Sequence, residues 1–200
     1  AQRLGLVCVE EGELPAPALE LIAQPSATLA ATKKQSLVRH EAFFRRQDAL
    51  GVQHVRDGAV IRPQLPEFFA QHIARWQGSA SPSLFHDPAQ QRFYARLTEE
   101  ASRSGWLRFT RLDWQQRPIA FHFGFCYRGA FLWYKPSFAI ALARRSPGEV
   151  LLRQLLLSAI EEGAQVFDFG LGDEPFKRRF ATVVRCVRTW GLYPPERISP

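Results

Sequence analysis

No methionine occurs in the 200 residues, and the first residue is Ala1. The sequence is therefore expected to be a processed or excised part of a longer product. Cysteine is nearly as scarce: Cys8, Cys126 and Cys186 are odd in number and far apart. That pattern excludes a disulfide framework and a metal-ligand set, and predicts buried, reduced thiols. No run approaches the roughly 18–20 uninterrupted apolar residues of a membrane-spanning helix, and the opening AQRLGLVCVEEGELP lacks the basic-then-apolar order of a signal peptide. A soluble, cytoplasmic protein is expected. A P-loop, a dinucleotide fingerprint, a G-x-S-x-G motif, internal repeats and low-complexity stretches are missing as well.

What is present is the balance of one globular domain with a real core: 46% hydrophobic and 22% charged residues. The net charge of +7 and a pI near 9.8 favour anionic partners such as nucleic acid, a phosphorylated cofactor or an anionic surface, without ranking them. A merely basic soluble surface has the same signature.

LGLVCV, residues 4–9, reads as a strand, and the stretch from Leu14 to Ala31, with Pro15, Pro17 and Pro25, reads as irregular, with a boundary near residue 30. Thr32 to Leu50 reads as one basic helix, capped by Thr32 and stopped by Gly51, with a short strand at Val52–Val55 after it. Leu65, Phe68, Phe69, His72, Ile73 and Trp76 share the face of a second helix. Asp87 and Pro88 open a third, expected to bury Phe93, Leu97 and Ala101 and to stop at Gly105. Trp106–Asp113, Ile119–Tyr127 and Ala130–Phe138 read as a meander of antiparallel strands. Ser146-Pro147-Gly148 then introduces a helix striped with Leu151, Leu152, Leu155, Leu156, Ala159 and Ile160 and closed by Gly163. Val166–Phe169 follows as a strand reached by a crossover, hence parallel to a neighbour, and Val183–Tyr193 closes the sheet. The class is α+β, or mixed α/β.

Three features carry chemistry. The helix opened by Pro147 points unpaired amides and the positive end of its dipole outward, a setting for phosphate in which Gly148 admits close approach and Arg144 and Arg145 add charge. The same Ser-Pro-Gly is equally a common cap, and Glu149 satisfies the dipole internally. FDFGLGDEPFKRRF, residues 167–180, is a strand ending in Gly170 and Gly172 at a crossover, where crevices form. In it Asp168 either sits in a site or accepts backbone hydrogen bonds, and Lys177 either stabilises an oxyanion or is a solvated charge in a basic run. The aromatic meander offers Tyr134, as proton donor or structural hydroxyl, while His72 and His122 read as core or substrate-cleft histidines rather than metal ligands.

Four segments taken together resemble the GNAT-like domain of bacterial acetyltransferases linked to cellulose and exopolysaccharide synthesis, a family similar to the Fem-type aminoacyl transferases. They are KKQSLVRHEAFFRRQDALG, FFAQHIARW, RPIAFHFGF with the aromatic strand after it, and SPGEVLLRQLLLSAIEEGAQVFDFGLGDEPFK, covering roughly residues 32–183. The resemblance implies a GNAT fold for residues 32–200, with 1–31 as the tail of a preceding GNAT-like half. It also implies direct transfer of an acyl group, acetyl above all, from acyl-CoA to an amine or hydroxyl of a small molecule, sugar or polysaccharide precursor. Arg144, Arg145, Ser146, Gly148, Glu149 and Val150 then form the donor-phosphate loop. Lys177, Tyr134 and Asp168 become the catalytic candidates, and His72, Trp76, His122, Asp173 and Phe176 line the acceptor side. Phe176-Lys177 occupies the place of the aromatic-lysine pair of Fem-like relatives. Because Ser-Pro-Gly replaces the usual glycine-rich loop, transfer from aminoacyl-tRNA and a non-catalytic binding module remain the alternatives, and no metal is implied.

Overall fold

A computed structural model describes residues 5–195. Leu4, the first residue of the expected opening strand, and residues 196–200 of the expected domain lie outside the described residues.

Seven strands form one sheet in the order β2-β3-β4-β5-β6-β1-β7. They are β1 (Val7–Glu20), β2 (Leu50–Val55), β3 (Leu107–Trp114), β4 (Arg117–Tyr127), β5 (Ala130–Phe138), β6 (Val166–Asp168) and β7 (Val183–Tyr193). Every neighbouring pair is antiparallel except β5 and β6, which the chain joins through a crossover helix. The helices are α1 (Pro25–Thr32), α2 (Gln35–Gln47), α3 (Gly58–Ile61), α4 (Leu65–Trp76), α5 (Pro88–Arg103), α6 (Pro147–Glu161) and α7 (Pro175–Arg178).

Alternation along the strands divides the core between the two faces of the sheet. Leu112, Ala120, Phe131 and Phe167 pack with Leu37 and Phe44 of α2 and with Leu151, Leu152, Leu155 and Leu156 of α6. Phe109, Phe121 and Phe123, of opposite parity, pack with Phe68 and Phe69 of α4 and Tyr94 of α5. The Asp87 carboxylate caps α5 by accepting from the Ala89 amide at 2.7 Å, and Pro88 occupies a position that needs no donor. Gly105, at φ 74°, follows Ser104, the capping residue of α5, where the left-handed conformation ends a helix.

Four expectations change. The Pro-rich segment is a strand as far as Glu20: β1 lies between β6 and β7. Pro15 and Pro17 fit there because β6 stops before reaching them, and their carbonyls still accept from the Gly172 and Phe169 amides. On that side a missing N–H leaves no ladder bond unmade. The expected basic helix is shorter, α2 alone: Thr32 ends a separate helix, α1, which lies in the segment expected to be irregular, and Leu50 and Gly51 belong to β2. On α5 the buried face is Tyr94, Thr98 and Ala101, so Phe93 points outward at 55% exposure. Cys8 and Cys186 are exposed, on the part of the β1–β7 ribbon without a helix over it, and only Cys126 is half-buried.

Candidate functional site

β5 and β6 pair only at Ala130–Val166, Phe131–Phe167 and Leu132–Asp168. Beyond Leu132, β5 continues to Phe138 while the chain after Asp168 turns away. The sheet therefore opens into a wedge. A cavity of about 690 Å³ fills it, walled by Leu132, Trp133, Tyr134, Pro136 and Phe138 of β5, and by Phe169, Gly170 and Leu171 after β6. The α6 N-terminus, with Ser146, Gly148 and Glu149, closes one side, and Arg75 with Trp76 from the end of α4 forms another.

A bulge next to Gly124 shapes this part of the sheet. A Cβ there would lie 2.2 Å from Cε1 of His122 and 2.5 Å from the Leu132 carbonyl oxygen, so only glycine fits. His122 is buried, its Nε2 accepts from the Tyr134 amide at 3.2 Å, and burial pushes its pKa down to about 3. It supports β5 as a neutral ring. Its Nδ1 has no partner among the described residues.

Ser146 adopts a left-handed backbone (φ 54°, ψ 53°) that turns the chain into α6. Pro147 has no N–H, and the Glu149 and Val150 amides both bond the Ser146 carbonyl oxygen. Among the described residues this leaves the Gly148 amide as the free donor of the first turn. The Glu149 carboxylate also sits here, 3.6 Å from His40 Nε2 and 3.2 Å from an Arg179 nitrogen. A Cβ on Gly148 would meet the Phe138 ring at 3.1 Å.

Opposite, Lys177 is 5% exposed, with Nζ donating to the Leu171 carbonyl at 2.5 Å and paired with Glu174 at 2.8 Å. Burial raises the Glu174 carboxyl, but the Lys177 bond, a backbone bond and the ammonium charge outweigh it and hold the group below its ordinary range. Gly172, at φ 109°, makes the loop possible, since a side chain there would collide with Glu174 at 2.6 Å. An ammonium has three donors, and two are used. On β5 the Tyr134 hydroxyl lies 2.8 Å from that of buried Tyr94, whose pKa burial and this bond raise.

The wedge thus gathers Trp76, Tyr134, Ser146, Gly148, Glu149, Phe176 and Lys177 from the expected site residues. The others lie elsewhere. Asp168 accepts from the Gly170 amide at 2.7 Å and shapes the turn below the cavity. Asp173 is exposed and paired with Arg178. Val150 is core. Arg144 and Arg145 are exposed, and Arg145 covers the Phe43 ring at 4.3 Å. His72 is buried behind the wall, bonded to Ser83 at 2.8 Å, its pKa lowered to about 4 by burial and by the charges of Lys135 and Arg75. Sequence reading passed over Arg75, Phe138 and Glu174. Arg75 is off the apolar stripe of α4, and only its position in the last turn beside Trp76 marks it.

A sequence model of the acetyltransferase (GNAT) domain matches residues 18–178. No curated protein matches the chain by sequence. Among solved structures, FemX superposes with a TM-score of 0.64 at 10% identity, over 85% of this chain and 59% of its own. The C-terminal domain of an Agrobacterium fabrum protein described as a lysylphosphatidylglycerol synthetase gives 0.61 at 16% identity, over 96% and 62%. L-PGS from Bacillus licheniformis gives 0.58 at 13%, over 98% and 64%. The chain thus spans less than two thirds of each, and at these identities the likeness is one of fold.

Proposed function

Since the chain belongs to the acetyltransferase (GNAT) domain family, we propose that the wedge between β5 and β6 is an acyl-transfer site, in which an acyl-CoA donor passes its acyl group directly to an amine or hydroxyl. The observation that carries this reading is the parting of β5 and β6 after three residue pairs, with a helix N-terminus at the rim. The open edge of β5 accommodates an extended acyl-bearing arm, and the apolar walls of Trp133, Phe138 and Phe169 exclude water from the thioester.

In this reading Lys177 directs its remaining N–H at the carbonyl oxygen of the acyl group, which becomes an oxyanion when the acceptor attacks. The C–N or C–O bond forms, the C–S bond breaks, the Tyr134 hydroxyl supplies a proton to the departing thiolate, and the proton released by the attacking amine or hydroxyl restores that hydroxyl. Tyr94 holds that hydroxyl in place. Catalysis is then mainly positioning and charge stabilisation. Trp76 and Phe176 stand where a small-molecule or sugar acceptor enters, and a polysaccharide precursor is the acceptor class that the sequence resemblance favours.

A second reading, transfer from aminoacyl-tRNA, is favoured by one observation: the α6 N-terminus keeps one free amide and already carries Glu149, a poor cradle for a full pyrophosphate. The proposed tRNA contact is the basic surface that includes Lys33, Lys34, Arg45 and Arg46. A thermal-shift series separates the two, because a ligand that binds only the folded state raises the melting temperature. Acetyl-CoA stabilising the protein while an aminoacylated acceptor-stem RNA does not supports the first reading. The reverse supports the second, and no shift with either leaves a binding module that has lost the chemistry.

A further inference from the structure

Arg75 is the unexplained charge of the cavity. Its guanidinium lies 4.5 Å from the centre of the Phe138 ring and 5.0 Å from that of Trp76, an arrangement that orients it without neutralising it. It has no ion pair or hydrogen-bond acceptor among the described residues, although burial is enough to lower its pKa. Of the carboxylates that share the cavity wall, Glu174 pairs with Lys177 and Glu149 pairs through Oε1 with Arg179, while Glu149 Oε2 has no hydrogen-bond partner among the described residues and Arg75 bonds neither group. The other charged side chain of the cavity wall, Lys177, is a cation. Five donors in a planar fork, partly desolvated and without an acceptor among the described residues, match the bidentate geometry of a ligand phosphate.

We propose that Arg75 binds a phosphate group of the ligand that fills the cavity, and, resting on the reading of the wedge as the transfer site, that this phosphate belongs to the acyl donor. Phe138 fixes its place. Arg75 stacks on that ring, and Gly148, the residue with the free amide, packs against it as well. The fork and the amide thus address one phosphate-bearing group from two elements, α4 and α6. The cation that the α6 rim needs in order to outweigh Glu149 comes from α4, not from Arg144 and Arg145 just upstream.

The test is calorimetry on the whole chain with coenzyme A, pantetheine, inorganic pyrophosphate and an aminoacylated acceptor-stem RNA, for the wild type, Arg75→Met and Arg75→Lys. Methionine keeps the packing on the two rings and removes the fork, and unchanged pantetheine binding or an unchanged melting temperature shows that the fold is intact. The expected result is a loss of about tenfold or more in coenzyme A affinity for Arg75→Met, with pantetheine unaffected and Arg75→Lys in between. If coenzyme A binds no variant, but pyrophosphate or the RNA binds in an Arg75-dependent way, the phosphate site stands and the coenzyme A reading falls. Equal binding of every phosphate-bearing probe to wild type and Arg75→Met, or none by the wild type, overturns the assignment.

Discussion

In the proposed reading, single residues at the wedge divide into those that hold the ligand and those that act on it. Gly148→Asp places a Cβ against the Phe138 ring at 3.1 Å and a second carboxylate beside Glu149. Donor binding is expected to vanish while the melting temperature falls only a few degrees, and unchanged coenzyme A affinity by calorimetry would show that α6 is only a capped helix. Lys177→Ala has the opposite signature. It removes a buried ammonium but leaves the half-exposed Glu174 carboxylate in water, so a modest stability cost is expected. Turnover should fall by about 100-fold or more while donor affinity changes little. Steady-state kinetics showing an equal loss in both would make Lys177 a loop anchor. The sequence pointed to Gly148 by its place at a helix opening and to Lys177 through the aromatic-lysine pair of the resemblance. It passed over Arg75 because a helix periodicity reports the side facing the core, and a cation serving a cavity at the helix end carries no periodic mark.

Among the elements, α2 and α6 are tied by a buried charge cluster. Glu41, 6% exposed, accepts from Arg45 at 2.7 Å, from Gln154 at 2.8 Å and from Arg153, which also donates to the Thr32 carbonyl at the end of α1. Burial raises the Glu41 carboxyl, yet the two arginine hydrogen bonds and their charges outweigh it and hold the group below its ordinary range. Glu41→Ala leaves Arg153 and Gln154 without their acceptor, and urea unfolding should record a loss of about 3 kcal/mol. A loss below about 1 kcal/mol would mean that the cluster is no more than a surface pair. Elements built on strong alternation or on a clean apolar stripe, namely β3 to β5 and α4, could be read directly, whereas α5 and α6 were placed by their opening residues and their faces only in part, since Phe93 and Ile160 point outward. β1 could not, because Pro15 and Pro17 are strand breakers unless the neighbouring strand ends in time, and where β6 ends is a property of the folded sheet. α1 was hidden for a related reason: Pro25–Thr32 carries no apolar stripe to mark it, and its buried residues are Thr28, Ala31 and Thr32.

For the molecule as a whole, acid sensitivity follows from its buried histidines. His72 and His122 have folded pKa values near 4 and 3, below the ordinary 6.5. The unfolded chain takes up protons as the pH falls through 6.5 and the folded chain does not, so stability is full above that point and declines below it. His72 alone contributes on the order of 3 kcal/mol to the decline by pH 4. Glu41, depressed in the fold, adds to it below its ordinary 4.5. The melting temperature should therefore drop between about pH 6.5 and 4, and His72→Gln should flatten the upper part of that drop; a flat profile for the wild type would mean that both rings charge freely in place.

The parting of β5 from β6 also has a mechanical side. Strands β2 to β5 make one plate and β6, β1 and β7 another, welded along three residue pairs and braced by α6. The β6–β1 seam is registered over three pairs too, but the Phe169 and Gly172 amides extend it by bonding the Pro17 and Pro15 carbonyls, and β5–β6 is therefore expected to open on a timescale at which backbone amides exchange with solvent. A ligand lying along Trp133–Phe138 and touching Phe169 to Leu171 would act as a splint across the weld. Hydrogen exchange should then slow at both margins together when the cavity fills, and protection confined to one margin would mean that the plates move as one body with or without it.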